Sequence, residues 1–201
     1  MKKATITGIC AGLAVCFSLP VQAQYATKVF DFLPAPGQFT NEAIAQSASG
    51  SNVIGNTSSM VSLGSFGGYI VLGFDQPIVN DPQNPFGVDF SVEGNSFAGN
   101  AYGQWCEPGA VQVMKDLNGD GLPNDGEWYE LAGSDYYLST TQRNVTVTYY
   151  NPHYSAGYAV PWAADNGTYG AMVVNRFHLH PYYPNPFDFE AHPIRDSVSF
   201  T

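Results

Sequence analysis

Apolar residues in this chain recur with a period of two and almost never with the 3.6-residue period of an amphipathic helix. The segments 60–63, 68–75, 88–93, 110–115, 128–132, 145–150, 170–175 and 197–201 read as short strands. Between them lie stretches rich in the 21 glycines and 14 prolines, which set turns by positive φ or by a fixed φ. Alternating segments bury one face only, so they need a second layer to cover it. The pattern predicts an all-β fold, an antiparallel β-sandwich or jelly roll over 59–201. Residues 24–58 read instead as an extended, loop-rich segment, with a Ser/Gly/Asn-rich loop over 46–59 and one short helical suggestion at 41–45. Aromatic residues make up 14% of the chain, enough side-chain area to build a core and to exclude a disordered reading.

One inter-strand stretch carries chemistry. Residues 116–127 read Asp-Leu-Asn-Gly-Asp-Gly-Leu-Pro-Asn-Asp-Gly-Glu. Oxygen side chains at loop positions 1, 3, 5, 9 and 12, with glycine at 6, match the twelve-residue calcium loop. The ligand set is Asp116, Asn118, Asp120, the Leu122 carbonyl, Asn124 and Glu127. Calcium takes six to eight oxygens, and alternate residues of a tightly wound loop can converge on one point. The competing reading is an acidic, glycine-rich turn without a metal. The flanks at 110–115 and 128–131 alternate like strands, so this EF-hand-like loop is predicted to join two β-strands. A structural Ca2+ clip follows from that placement, since there are no flanking helices to open in a switch.

The first 23 residues read as a signal peptide. Lys2 and Lys3 precede an apolar stretch, and Val21-Gln-Ala23 offers a small-residue cleavage site before Gln24. Cys16 offers a lipoprotein alternative, although Val15 is bulky for the position before a lipidated cysteine. Removing the segment takes away two lysines and no carboxylate, moving the formal charge from −10 to −12. Such a surface repels nucleic acid and anionic membranes, and no later apolar run approaches the ~20 residues of a transmembrane segment. Of the three cysteines only Cys106 would remain, so no internal disulfide can form and a metal clip becomes a plausible staple. Cys106 itself reads as a small packed hydrophobe rather than a nucleophile.

Longer motifs carry a family resemblance. They are Phe-Asp-Phe-Leu-Pro-Ala-Pro-Gly-Gln-Phe-Thr-Asn at 30–41, Ser-Leu-Gly-Ser-Phe-Gly-Gly-Tyr-Ile-Val-Leu-Gly-Phe-Asp at 62–75, and Val-Asp-Phe-Ser-Val-Glu-Gly-Asn at 88–95. Glu107-Pro-Gly, the calcium-type loop with Trp-Tyr-Glu-Leu-Ala-Gly at 128–133, Asp165-Asn-Gly, His178 and Pro-Tyr-Tyr-Pro at 181–184 continue it. Over most of the mature length the chain resembles a family of exported cell-surface proteins of gut Bacteroidetes. The entry into the second predicted strand also resembles carbohydrate-binding jelly rolls. The resemblance implies a surface-associated β-sandwich, located on the cell surface, in the periplasm or outside the cell, near nutrient-uptake systems. It also implies strands beyond residue 201, so 197–201 is either a terminal strand or the point where a longer domain is cut short.

Three functions remain open. The first is a calcium-stabilised module for a glycan or other small-molecule ligand. Flat rings on loops stack on sugar faces while nearby carboxylates and amides take the hydroxyls, and Trp162, Asp165, Asn166, Tyr182 and Tyr183, with Tyr169, are the candidates. The same rings could instead cover the ends of the core, where Trp105 and Trp128 are also expected. The second is nutrient capture, for example of cobalamin, beside an outer-membrane transporter. The third is a hydrolase using carboxylates such as Glu93, Glu107 and Glu130. No Gly-x-Ser-x-Gly, His-Glu-x-x-His or phosphate-binding glycine loop is present. His178 and His180 would share a strand face and could bind a second metal, or serve as structural histidines like His153 and His192.

Overall fold

A computed structural model describes residues 24–42, 50–99, 103, 107–153, 158–184 and 196–201. The leader at 1–23, Trp105, Cys106, His192 and part of the loop expected over 46–59 lie outside the described residues. So does most of the helical suggestion at 41–45.

The described residues form an all-β structure of antiparallel ladders, with a single-turn 3-10 helix at Ser51–Val53 and a tight turn at Pro85–Gly87 in which Phe86 and Gly87 take positive φ. Strand β1 (Lys28–Leu33) pairs with β2 (Tyr69–Gly73). Strands β3 (Gln112–Val113) and β4 (Tyr129–Glu130) form a two-residue ladder. Strands β5 (Val147–Tyr150), β6 (Val160–Ala164), β7 (Tyr169–Met172) and β8 (Ser197–Phe200) form a four-stranded sheet in the order β7-β6-β5-β8.

Alternation sets the inner face of that sheet. On β5, Val147 and Tyr149 are buried while Thr148 faces outward and shares a 2.8 Å hydroxyl contact with Ser199 of β8. Register places Val147 between Ala164 and Phe200, and Tyr149 opposite Trp162. The Tyr149 ring meets Phe200 edge-on, with centroids 5.9 Å apart. Its hydroxyl donates to the Phe66 carbonyl at 3.0 Å, so its polar tip is satisfied inside the core.

The segment read as a loose N-terminal extension belongs to this core. Phe32 and Leu33 of β1, Ala35, Val147, Tyr149, Val160, Tyr182, Tyr183 and Phe200 pack as one buried cluster. A boundary between 58 and 59 therefore does not separate a loop segment from the β core. Pro34, Pro36 and Pro184 are fully buried. A proline has no N–H, so it carries one polar group fewer into the interior than any other residue. Most of the remaining polar groups are tied off, the buried Tyr183 hydroxyl being an exception. Ala35 N–H donates to Leu63 O at 2.9 Å, Gly37 N–H to Tyr182 O at 3.0 Å, and the Thr40 hydroxyl to Ala35 O at 3.1 Å. Asn41 Nδ2 donates to both Pro181 O and Tyr183 O, at 2.7 and 2.8 Å. The 34–41 and 181–184 segments are thus knitted to each other.

Other expectations shift. Residues 88–93 alternate but join no ladder; Val88 and Val92 are exposed, and Asp89 Oδ1 instead accepts Asp81 N–H and Asn84 Nδ2 at 3.0 Å. Alternation without a pairing partner leaves the backbone ladder unmade, so a turn held by that carboxylate takes its place. Strand β6 was not anticipated because Pro161 interrupts it. Its ladder to β5 runs only from Trp162 to Ala164, so Pro161 sits where β6 extends past β5 and no donor is missed. Segment 60–63 stays outside any ladder, although Val61 and Leu63 pack on the core.

Candidate functional site

The loop after β3 and before β4 is positioned as the sequence implied. Pairing of Gln112 with Glu130 and Val113 with Tyr129 brings its two ends together. Inside, the acidic side chains wind the backbone. Asp116 Oδ1 accepts Gly119 N–H at 2.7 Å and Oδ2 accepts Gly121 N–H at 2.9 Å. Asn118 Oδ1 accepts Asp120 N–H, and Asp120 Oδ1 accepts Leu122 N–H, both at 2.8 Å. Each is a side chain turning back on the main chain a few residues ahead, which is how Asx turns tighten a loop. Gly119 and Gly121 take φ of 75° and 71°, a region a Cβ would disfavour.

The oxygen-bearing side chains at positions 3, 5 and 9 gather. Asn124 Nδ2 and Asn118 Nδ2 donate to Asp120 Oδ2 at 2.8 and 3.1 Å, and Asn118 Nδ2 lies 3.4 Å from Asn124 Oδ1. Hydrogen bonds from Asn124 and from the Leu122 amide hold the Asp120 carboxyl below its ordinary range, favouring the charged form that a cation needs. Glu127, at position 12, accepts the Tyr129 hydroxyl at 2.6 Å on Oε2. Asp125 caps the Leu117 N–H at 2.6 Å. Four carboxylates (Asp116, Asp120, Asp125, Glu127) share this exposed loop with no Lys or Arg in it. Among the described residues no three His, Cys, Asp or Glu side chains converge as a metal group. Asp116, Asp120 and Glu127 therefore do not meet at one point here: Asp116 turns to the Gly119 and Gly121 amides and Glu127 to the Tyr129 hydroxyl. A carboxylate oxygen that accepts one N–H keeps a second lone pair, so Asp116, Asn118, Asp120, the Leu122 carbonyl, Asn124 and Glu127 fit a hard, oxygen-seeking cation in number and chemistry.

The five residues grouped as a ligand surface do not form one. Tyr182 and Tyr183 are 2% and 6% exposed and belong to the core, so neither presents a face to a ligand. Tyr182 Oη accepts Asn175 N–H at 2.9 Å. Burial, then the nearby Asp196 carboxylate, pushes the Tyr183 hydroxyl up to about 12. Two prolines flanking two tyrosines read as a loop, yet here the prolines are what lets the segment enter the interior. Trp162 is half-buried on the inner side of β6, edge-on to Phe66 at 5.8 Å and lying over Gly170, its partner across the ladder. Asp165 and Asn166 form the β6–β7 hairpin turn with Gly167 at φ 85°. Asn166 Oδ1 accepts the Thr168 amide and hydroxyl. Tyr169 is 83% exposed on β7.

His178 and His180 do not share a strand, since 178–180 joins no ladder. His178 Nδ1 lies 3.6 Å from Glu42 and its ring stacks edge-on against Phe39, while His180 is exposed. His153 lies 3.3 Å from Asp196. Trp128, expected in the core, is 40% exposed. Glu93 and Glu107 are exposed, and Glu130 lies 3.7 Å from Arg143.

Sequence reasoning missed a cluster beside the metal-type loop. Arg143 spans from Glu130 on β4 to Tyr136, stacking its guanidinium 4.2 Å above the ring and donating Nη2–H to the Tyr136 carbonyl. Tyr136 in turn meets Tyr137 edge-on, centroids 4.9 Å apart at 77°. Tyr137 is 85% exposed. The neighbouring Gln142 accepts Asn166 Nδ2 at 2.7 Å, joining this loop to the β6–β7 turn. The sequence signal was a pair of tyrosines in a polar turn, Ser-Asp-Tyr-Tyr-Leu at 134–138.

No family model matches the chain, and no curated protein matches it. Among the described residues no helix is long and apolar enough to cross a membrane.

Proposed function

We propose that this chain is an exported, surface-associated binding module for glycans, an antiparallel sandwich of jelly-roll type stabilised by calcium at loop 116–127. The observation that carries the reading is the closed loop between β3 and β4. Asp116 gathers the Gly119 and Gly121 amides while Asn118, Asp120 and Asn124 turn toward one another. Calcium drawing these groups, the Leu122 carbonyl and Glu127 together would neutralise carboxylates of the loop and lock the ends of the hairpin. The metal acts as a clip, because its flanks are strands fixed in a ladder. Glycan as the ligand class is supported by exposed rings beside amide side chains on an acidic surface that disfavours polyanions. The resemblance to exported surface proteins points the same way.

The test is retention of the protein in gels carrying soluble xylan, galactomannan, starch or mucin, run in calcium and again in a chelator. Retardation by at least one polysaccharide in calcium, weakened by the chelator, is the expected outcome. Unretarded migration in all four overturns the glycan reading.

A further inference from the structure

We infer that Tyr137 is the stacking ring of a sugar-binding subsite, with Tyr136, Arg143 and Glu130 as its positioning residues. The inference rests on the glycan reading and gives it a place. An isolated exposed tyrosine needs no explanation. Tyr137 differs because it abuts Tyr136, which a chain of oriented contacts holds from below. Glu130 belongs to the β3–β4 ladder, Arg143 reaches Glu130 with Nε at 3.7 Å, and the guanidinium lies on Tyr136. Tyr136 then abuts Tyr137 at 77°. The surrounding loop is itself turned by Tyr136 N–H to Gly133 O, Leu138 N–H to Asp135 O and Thr141 N–H to Leu138 O, at 3.1–3.2 Å.

A ring braced at one side presents a flat apolar area at a smaller rotamer cost of ordering on binding than an unbraced one. Pyranose rings offer a matching face of C–H bonds, with hydroxyls projecting around the rim. The joined amides of Gln142 and Asn166 stand on the same loop system and can exchange hydrogen bonds with such hydroxyls. The one cation of the cluster is taken up by Glu130 and the Tyr136 face, so the subsite suits a neutral sugar rather than an anionic one. Because Glu130 lies on β4, just after the metal-type loop, a clip that stiffens the β3–β4 hairpin also stiffens the platform.

The experiment is affinity electrophoresis of the whole chain with the four polysaccharides above, using wild type, Tyr137→Ala, Tyr137→Trp and Trp162→Ala, with melting curves for each. Tyr137→Ala should weaken binding about tenfold or more with an unchanged melt, since the ring is exposed. Tyr137→Trp should retain binding, and Trp162→Ala should act through stability. Wild-type retention that Tyr137→Ala leaves intact overturns the subsite while the glycan reading stands. Wild-type migration unretarded by every polysaccharide overturns both.

Discussion

Replacing Tyr182 by alanine separates a core tyrosine from a ligand platform. Tyr182 is 2% exposed, so nearly all of its side chain leaves water on folding. A ring of this kind buries roughly 150–200 Å². At about 25 cal/mol per Å² the transfer contribution is about 4 kcal/mol, within the range of 3–5 kcal/mol seen when buried aromatic residues are truncated to alanine. The substitution also strips the Asn175 N–H of its acceptor, adding to the loss. For a chain of this size each kcal/mol moves the melting midpoint roughly 2–4 °C, giving a fall of about 8–16 °C. Tyr182→Phe keeps the ring and loses only the hydroxyl, so it should cost about 1–2 kcal/mol and a fall of about 2–8 °C. Differential scanning calorimetry of the three proteins reads both steps. Midpoints within about 2 °C of wild type for Tyr182→Ala would refute the placement of Tyr182 in the core and reopen it as a surface ring.

Gly64 and Gly55 share φ of 73°, but a Cβ at Gly64 would run into the Ala35 carbonyl whereas one at Gly55 meets nothing within 4 Å. Gly55→Ala should therefore cost only the left-handed backbone strain of about 1–2 kcal/mol, and Gly64→Ala clearly more, as urea midpoints will read. Burial raises Tyr149 and Tyr183 to about 12, and burial followed by the Asp31 hydrogen bond does the same for Tyr69. Their folded-state values stand above the unfolded value near 10, so the stability they contribute is complete below pH 10. It falls as pH rises from 10 toward 12, because the unfolded chain gives up those protons first. The difference in 295 nm absorbance between wild type and Tyr149→Phe isolates one of them and should appear only as the fold is lost; a difference near pH 10 with native circular dichroism would contradict it.

Period-two alternation made the all-β class legible, and it located β2, β5 and β8 because those strands have one face on the core. The loop at 116–127 was legible in its spacing and in its strand flanks, since Asx turns and glycine positions are local. What escaped was non-local. Phe32 and Leu33 lie in a segment full of turn formers, yet β2 supplies a partner that no local pattern announces. Pro34, Pro36, Pro181 and Pro184 suggested exposed loops, but the lack of an N–H suits such residues to a buried segment where donors are hard to satisfy. Tyr182 and Tyr183 followed those prolines inside. Segment 88–93 shows the converse, with good alternation and no strand beside it. The Tyr136–Arg143–Glu130 relay depends on a contact between β4 and a loop thirteen residues later, which composition cannot reveal.

Calcium-dependent melting with isothermal calorimetry measures directly whether the 116–127 loop is a calcium clip. Extracellular calcium modules reach dissociation constants of about 0.1 mM. At 10 mM calcium, a hundredfold excess over that value, linkage adds about 2.7 kcal/mol, or a rise of about 5–10 °C in the melting midpoint. One calcium per chain should bind, and both the heat and the rise should vanish in Asp116→Ala and Glu127→Ala. Equal midpoints in calcium and chelator, with no binding heat for the wild-type chain, would contradict the account.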